Sequence, residues 1–248
     1  MEKIVVQHLD MSYGSYVVMK DLSFSVKKGE VFLIIGQSGC GKSTLLKYLL
    51  GLKPLPDKKI FYDHEDINVL INDPKFYGTR VGVLYQSGAL WSSMTLAENV
   101  ALILETYTDL SPSEIQDMVA VKLSLVGLKG FENFYPSQLS GGMKKRAGLA
   151  RALALDPELL FFDEPSAGLD PVSAKRLDDL ILELKESLGM TMVIVTHDLD
   201  SIFSVGDRAI YLDVYTKRGI TIGSPKETLE HTDNPAILSF LSRGKRSL

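Results

Sequence analysis

Cysteine, long apolar runs and excess basic charge are scarce in this chain of 248 residues, and each scarcity excludes a class of protein. The single cysteine, Cys40, cannot form an intramolecular disulfide, so we expect a cytoplasmic protein. Runs of about 18 apolar residues are missing, which argues against a membrane span or a signal peptide. The 27 Lys and Arg against 31 Asp and Glu give a net charge of −4. This balance predicts no nucleic-acid partner.

Short apolar runs alternate with segments of helical period, which is the pattern of a mostly parallel sheet covered by helices. The first strands lie too close together for helical crossovers, so residues 4–6, 22–26 and 31–35 predict an antiparallel N-terminal piece. We expect an α/β fold in one domain over residues 1–248. Strands are predicted near residues 3–8, 22–27, 30–35, 59–62, 80–85, 158–163, 191–196 and 209–214.

Helical signals dominate between residues 87 and 155, which predicts a helical insert in the α/β core. Thr95 and Ser111 each precede a glutamate by three residues, the pattern of a capping box at a helix start. A third helix is expected from about residue 142 to 155, where Pro157 ends it. Asp170 and Pro171 then predict the start of a helix that ends at Gly189.

The strongest chemical signal is a glycine-rich segment between the predicted strand at 31–35 and a helical run at 45–50. It matches the phosphate-binding P-loop pattern, in which backbone N–H groups and a helix N-terminus face phosphate oxygens. Lys42 supplies a positive charge to the phosphates, and the Ser43 hydroxyl can bind Mg²⁺. The nucleotide-binding residues predicted here are Gly36, Ser38, Gly39, Cys40, Gly41, Lys42, Ser43 and Thr44.

Two further segments suit the same chemistry. The apolar strand at 159–162 ends in Asp163 and Glu164, and acids at the end of a core strand are usually solvated or paired with a cation. Beside a P-loop that cation is Mg²⁺, held through Asp163, while Glu164 polarises the attacking water. Ser140, Gly141 and Gly142 precede a basic helix and predict a second anion site.

Six segments in this order resemble the ABC transporter ATPase family over nearly the whole chain: residues 36–44, Gln86, 139–143, 159–164, 166–170 and 196–198. The resemblance implies an Mg²⁺-dependent ATPase with a P-loop core, an N-terminal antiparallel β subdomain and a helical insert. It implies that Tyr13 stacks on adenine, with Tyr16 as the competing tyrosine. It also implies that Gln86 senses Mg²⁺ and that His197 contacts the γ-phosphate.

The resemblance further implies partners. Ser140, Gly141 and Gly142 of one copy would face ATP held by another copy, giving a homodimer with two sandwiched ATP molecules. Asp170 would communicate across this dimer, besides capping its helix. With no membrane span of its own, the chain resembles the detachable ATPase of a transporter with a separate permease. Such a subunit lies on the cytoplasmic face of the inner membrane and docks the permease through its helical insert.

A narrower resemblance concerns residues 85–100 and 136–146, especially the Ser-Gly-Ala-Leu after Gln86 and Met143 after the glycine pair. These are similar to ATPases of Mla-type systems, which move phospholipid with a permease and an MCE protein. Two alternatives remain: the ATPase of a small-solute importer, such as an amino-acid system, and a soluble ABC ATPase that acts on ribosomes or DNA. Residues 54–68 depart from the family by lacking glycine.

Two further expectations concern single segments. Cys40 lies at a helix N-terminus, a position that tends to lower the pKa of a thiol, so alkylation is expected to inhibit the ATPase and nucleotide to protect it. The basic tail at residues 243–246 is expected to be a solvated, frayed end.

Overall fold

The computed structural model describes residues 1–73 and 76–242, and the chain divides into two compact units. The first unit comprises Met1–Asp73 and Ile181–Leu248, and the second comprises Pro74–Leu180. The helical insert predicted at 87–155 falls within the second unit. The basic tail at 243–246 lies outside the described residues. Within the described ranges, no helix is both long and apolar enough to cross a bilayer.

Strands and helices are numbered in chain order. The strands are β1 (Glu2–Tyr13), β2 (Tyr16–Lys27), β3 (Val31–Gly36), β4 (Ile60–Tyr62), β5 (Glu65–Asp66), β6 (Val81–Leu84), β7 (Leu159–Asp163), β8 (Thr191–Val195), β9 (Arg208–Asp213) and β10 (Arg218–Ile222). The helices are α1 (Lys42–Leu49), α2 (Ile67–Leu70), α3 (Leu96–Tyr107), α4 (Pro112–Leu125), α5 (Gly141–Ala152), α6 (Pro171–Leu188), α7 (Leu199–Val205), α8 (Pro225–His231) and α9 (Pro235–Leu241).

An antiparallel sheet of order β2-β1-β4-β5 forms part of the first unit. β1 and β2 run well beyond the predicted strands because bulges interrupt their alternation, with His8 and Asp21 at φ of 47° and 53°. The β4–β5 turn places Asp63 and His64 at φ of 48° and 73°. Two left-handed residues are what a tight hairpin turn requires, so this hairpin forms without the glycines absent from 54–68.

The prediction that residues 31–35 belong to the antiparallel piece is wrong. β3 instead lies between β8 and β9 and is parallel to both. All six of its residues are buried, as in a strand with covered faces on both sides, and such a strand shows no alternation that would reveal its direction. β10 then pairs antiparallel with β9. Neither β5 nor β10 was predicted, since both are short and only partly buried.

The second unit contains the parallel pair β6 and β7 together with α3, α4 and α5. The capping boxes at Thr95 and Ser111 are confirmed, with each hydroxyl accepting a bond from the N–H of the glutamate three residues on. In return, the N–H and hydroxyl groups of Thr95 and Ser111 donate to the carboxylates of Glu98 and Glu114, and these bonds lower the pKa of both glutamates. α5 ends at Ala152, earlier than predicted, because the chain leaves the helix before Asp156, whose φ is 50°.

One fully buried side chain holds the segment that leads into α3. The Asn99 amide accepts a bond from the Trp91 N–H at 2.8 Å and donates to three carbonyl oxygens, those of Trp91, Met94 and Thr95, at 2.9 to 3.2 Å. Asn99 therefore satisfies the backbone of a turn that has no regular structure of its own.

We expect Asn99→Leu to lower the free energy of unfolding by about 3 kcal/mol, because it leaves several buried backbone groups without partners. Urea denaturation measures this. Gln116→Leu, at an exposed position on α4, is the matched control and should change stability by less than about 0.5 kcal/mol. A parent-like midpoint for Asn99→Leu would show that the turn is held by other contacts.

Candidate functional site

The predicted P-loop links β3 to α1 in the first unit. Gly36, Gly39 and Gly41 all have positive φ, at 147°, 79° and 104°, and α1 begins at Lys42. The buried Lys42 ammonium donates to the carbonyl oxygens of Gly36 at 3.1 Å and Gln37 at 3.3 Å. The loop therefore curls around its own lysine, which is the shape that a phosphate cradle requires.

Cys40 lies inside this curl and is 1% exposed. A Cβ added to Gly36 would come within 2.8 Å of its Sγ, so the thiol packs directly against the loop backbone. Burial of the sulfur restricts access by an alkylating reagent. The geometry therefore opposes the alkylation expected from the sequence.

The Tyr13 side chain is hydrogen-bonded to Thr44, the last residue of the P-loop. Its hydroxyl lies 3.1 Å from Thr44 Oγ1, and this hydrogen bond is the main cause that lowers the pKa of Tyr13. Half of the side chain is exposed, and the Lys53 ammonium lies 3.5 Å from the ring centre. Tyr16, the competing tyrosine, instead has Lys217 above its ring at 4.8 Å. Of the two, the structure connects Tyr13 to the P-loop.

His197 follows β8, the parallel neighbour of β3. The N–H of Thr196 donates to the carbonyl of Ile34 at 3.3 Å, so the chain after β8 leaves the sheet at the same edge as Gly36. The His197 side chain is exposed there. In the first unit, Tyr13 therefore contacts the P-loop, and His197 follows the strand beside the one that leads into the P-loop.

In the second unit, Gln86 and the paired carboxylates lie at the carboxyl ends of two neighbouring parallel strands. β6 and β7 are parallel with Leu84 opposite Phe162, so Gln86 and Glu164 each come two residues after a paired position. Asp163 and Glu164 are half-buried, and Glu164 has a φ of 49°. Among the described residues, no cluster of three or more His, Cys, Asp or Glu could hold a metal by itself.

The glycine pair at the start of α5 allows a close helix contact. Ser140 is the N-cap, its hydroxyl accepting from the Met143 N–H at 3.3 Å. A Cβ on Gly142 would lie 3.1 Å from the Cβ of Ser173, at the start of α6. Asp170 caps α6 as predicted by accepting from the N–H groups of Val172 and Ser173. A hydrogen bond from the Ser173 side chain, together with these backbone bonds, lowers the pKa of Asp170.

Sequence reasoning missed two cationic side chains on α5. The ammonium of Lys145 reaches the carbonyl of Glu164, and the guanidinium of Arg151 donates to the carbonyl of Ala89, three residues after Gln86. Burial lowers the pKa of both side chains. No local sequence pattern distinguishes these two residues from other basic residues of the helix. Lys144 and Lys145, for example, are adjacent in one basic run, and only the packing of α5 buries one more than the other.

The profile of the family described as ABC transporter matches residues 19–167. The MlaF protein of Haemophilus influenzae, an "intermembrane phospholipid transport system ATP-binding protein", is 40% identical over 93% of this chain and 87% of its own length. The chain belongs to the ABC transporter family. As a member it hydrolyses ATP, and the expected fold and the resemblance on which it rested are both confirmed.

Two further proteins are similar to this chain. The "probable ribonucleotide transport ATP-binding protein mkl" of Mycobacterium tuberculosis is 40% identical over 98% of this chain and 67% of its own length. The dimeric structure of the ATP-binding cassette MJ0796, in a post-hydrolysis state bound to ADP and Pi, superposes with a TM-score of 0.76. It is 28% identical and covers 89% of this chain and 98% of its own.

Substituting the glycine at the start of the loop should weaken nucleotide binding. In Gly36→Ala the new Cβ would lie 2.8 Å from both Cys40 Sγ and the Leu212 carbonyl oxygen, so the loop has to leave its curled path. We expect ATP affinity to fall more than about ten-fold, measured by titration with a fluorescent ATP analogue.

Gly29→Ala is the matched control. Gly29 also has a positive φ, 77°, but its added Cβ meets nothing closer than 3.8 Å. It should cost about 1 kcal/mol of stability and leave affinity unchanged. Equal losses of affinity in both variants would show that backbone strain, and not the path of the P-loop, is responsible.

Proposed function

We propose that this chain is the Mg²⁺-dependent ATPase subunit of an envelope phospholipid transporter. The observation that carries the ATPase part is the P-loop curled around Lys42, with Tyr13 bonded to its last residue. The similarity to MlaF over nearly the full chain supports phospholipid as cargo. In this proposal a separate permease and an MCE protein complete the transporter, and the permease holds the chain at the cytoplasmic face of the inner membrane.

In this proposal the individual residues have the roles that the family resemblance implies. Lys42 and the N–H groups of the P-loop hold the phosphates, Tyr13 stacks on adenine and His197 contacts the γ-phosphate. Glu164 orients the attacking water and accepts its proton.

Mg²⁺ prefers oxygen ligands, and the hydroxyl of Ser43, the carboxylate of Asp163 and the amide oxygen of Gln86 fit this preference. One or two protein oxygens suffice, because substrate phosphates supply other ligands. When bound, the ion neutralises charge on the β- and γ-phosphates.

Ser140, Gly141 and Gly142 have no nucleotide role within one copy in this proposal. The helix N-terminus at Ser140 would instead contact the γ-phosphate held by a second copy, so ATP is enclosed between two protomers. The dimeric form of the MJ0796 cassette supports this arrangement. ATP hydrolysis by one copy alone would then lack half of its transition-state contacts.

Glu164→Gln tests the site and the dimer together. The amide cannot accept the proton of water, so we expect turnover to fall at least about 100-fold. ATP should then accumulate unhydrolysed and convert the variant to a dimer, measured by size-exclusion chromatography. Glu158→Gln, at the opposite end of β7, is the matched control and should keep both turnover and oligomeric state. Turnover by Glu164→Gln close to that of the parent would contradict the proposed role.

The groove between α3 and α4 is the surface that we propose for the permease. The groove has a volume of about 490 Å³, an apolar floor and three glutamates in its lining. The residues that form it are Ala97, Glu98, Ala101, Glu105, Leu110, Pro112, Ile115, Gln116, Val119, Glu132 and Asn133. The apolar floor and the acidic lining are complementary to an amphipathic helix that carries basic residues along its edges. We therefore propose that the groove binds an amphipathic helix of the permease with basic residues at its edges.

Purification of the tagged protein from its own membranes tests partner and cargo. We expect a permease, an MCE protein and phospholipid to accompany the parent. Ala101→Trp should fill the groove and remove the permease while keeping the ATPase activity of the isolated chain. Val121→Trp, at an exposed position on α4 outside the groove, is the control and should retain it.

The partners recovered separate the candidate cargoes. A permease with a small-solute binding protein would replace phospholipid with a small solute, such as the ribonucleotide named for Mkl, which is equally similar to this chain. Recovery of ribosomes or DNA without membrane protein would contradict the transporter proposal.

A further inference from the structure

Lys145 is a buried ammonium to which the proposed reaction assigns no role. It lies on the second turn of α5, the helix that begins at the Ser140 cap, and its residue is 5% exposed. Lys144, the preceding residue in the basic run, is only half-buried. Burying a lysine disfavours its charged form unless nearby acceptors compensate. The groups around the Lys145 ammonium therefore indicate the function of its charge.

The groups that the structure describes around the Lys145 ammonium lie at and just after the end of β7. Its Nζ donates to the carbonyl oxygen of Glu164 at 3.3 Å. Burial lowers the pKa of Lys145, and the negative charges of Glu164 and Asp163 oppose this effect. The ammonium thus lies beside the residue proposed to orient water and the residue proposed to bind Mg²⁺.

The backbone at Glu164 needs such support. Its φ of 49° lies in the left-handed region, which is costly for a side chain of this size and persists only when surrounding contacts enforce it. The Glu164 carbonyl also accepts from the Ala167 N–H at 3.2 Å, which closes the turn after β7. Lys145 adds the contact that anchors this turn to α5.

The same helix holds the loop after Gln86. A Cβ on Gly148 would lie 2.7 Å from the Gly88 carbonyl oxygen, so this loop rests directly on α5. One turn later, Arg151 donates to the carbonyl oxygen of Ala89 at 2.5 Å. Lys145, Gly148 and Arg151 recur every three residues and share one helix face. That face contacts both segments of the second unit that carry proposed catalytic residues.

We propose that Lys145 is a positioning residue that fixes the backbone of Glu164, and with it the direction of the catalytic carboxylate, relative to α5. The proposal rests on the role of Glu164 in the proposed function. α5 also carries the Ser140 cap, so one rigid helix joins the contact offered to a second copy with the glutamate that orients water. Loss of the ammonium should therefore impair hydrolysis more than it impairs ATP binding.

Lys145→Met tests the positioning role, because methionine has similar length but neither charge nor donor. We expect kcat to fall about ten-fold, the effect of losing one charge-assisted hydrogen bond, with KM within about two-fold of the parent. Lys145→Arg keeps both charge and donors and should restore kcat to within about three-fold of the parent. Urea unfolding establishes that each variant is folded under the assay conditions, and Lys145→Gln replaces Lys145→Met if the latter is not.

Lys144→Met is the matched control on the same helix turn and should leave kcat unchanged. A parent-like kcat for Lys145→Met would overturn the proposal, as would an equal loss in Lys144→Met or a loss that Lys145→Arg does not restore. The proposed function fails differently: turnover would then survive Glu164→Gln. Loss of turnover in Glu164→Gln together with a parent-like Lys145→Met would reject only the positioning role.

Discussion

The absence of a side chain at Gly36 is the constraint on which the nucleotide site depends. The backbone there passes within van der Waals distance of the Leu212 carbonyl and of Cys40, leaving no room for a Cβ. Only this path lets the chain turn from β3 into α1 tightly enough for Lys42 to bond the carbonyls of Gly36 and Gln37. Because the turn follows a strand buried on both faces, its position is fixed by the packing of the sheet.

Parallel pairing explains why distant segments of the sequence meet. β8 pairs with β3 in the first unit and β7 with β6 in the second, and parallel strands bring their carboxyl ends to one edge. Each edge collects polar residues from segments about 80 to 160 positions apart, because the crossovers between them contain helices. Burial of the strands provides the stability, and the residues just after the strands carry the proposed chemistry.

α5 shows how a helix can serve several tasks at once. Its N-terminus presents the Ser140 cap, and one face supports the turn at Glu164 and the loop after Gln86. Small residues permit the close approach at Gly88 and Gly148, while the two long cations reach carbonyl oxygens that lie further away. The buried side-chain amide of Asn99 likewise holds the turn that precedes α3 by donating to a backbone carbonyl oxygen.

Local signals in the sequence determined much of this protein. The P-loop, the capping boxes at Thr95 and Ser111 and the Asp170 cap depend on neighbours within a few residues, so their patterns are readable in one dimension. The placement of β3, the hydrogen bond between Tyr13 and Thr44, the burial of Cys40 and the contact of Lys145 with Glu164 depend on segments far apart in the chain. Only the tertiary structure decided these, because adjacent residues of similar chemistry differ in what packs against them and not in their own sequence.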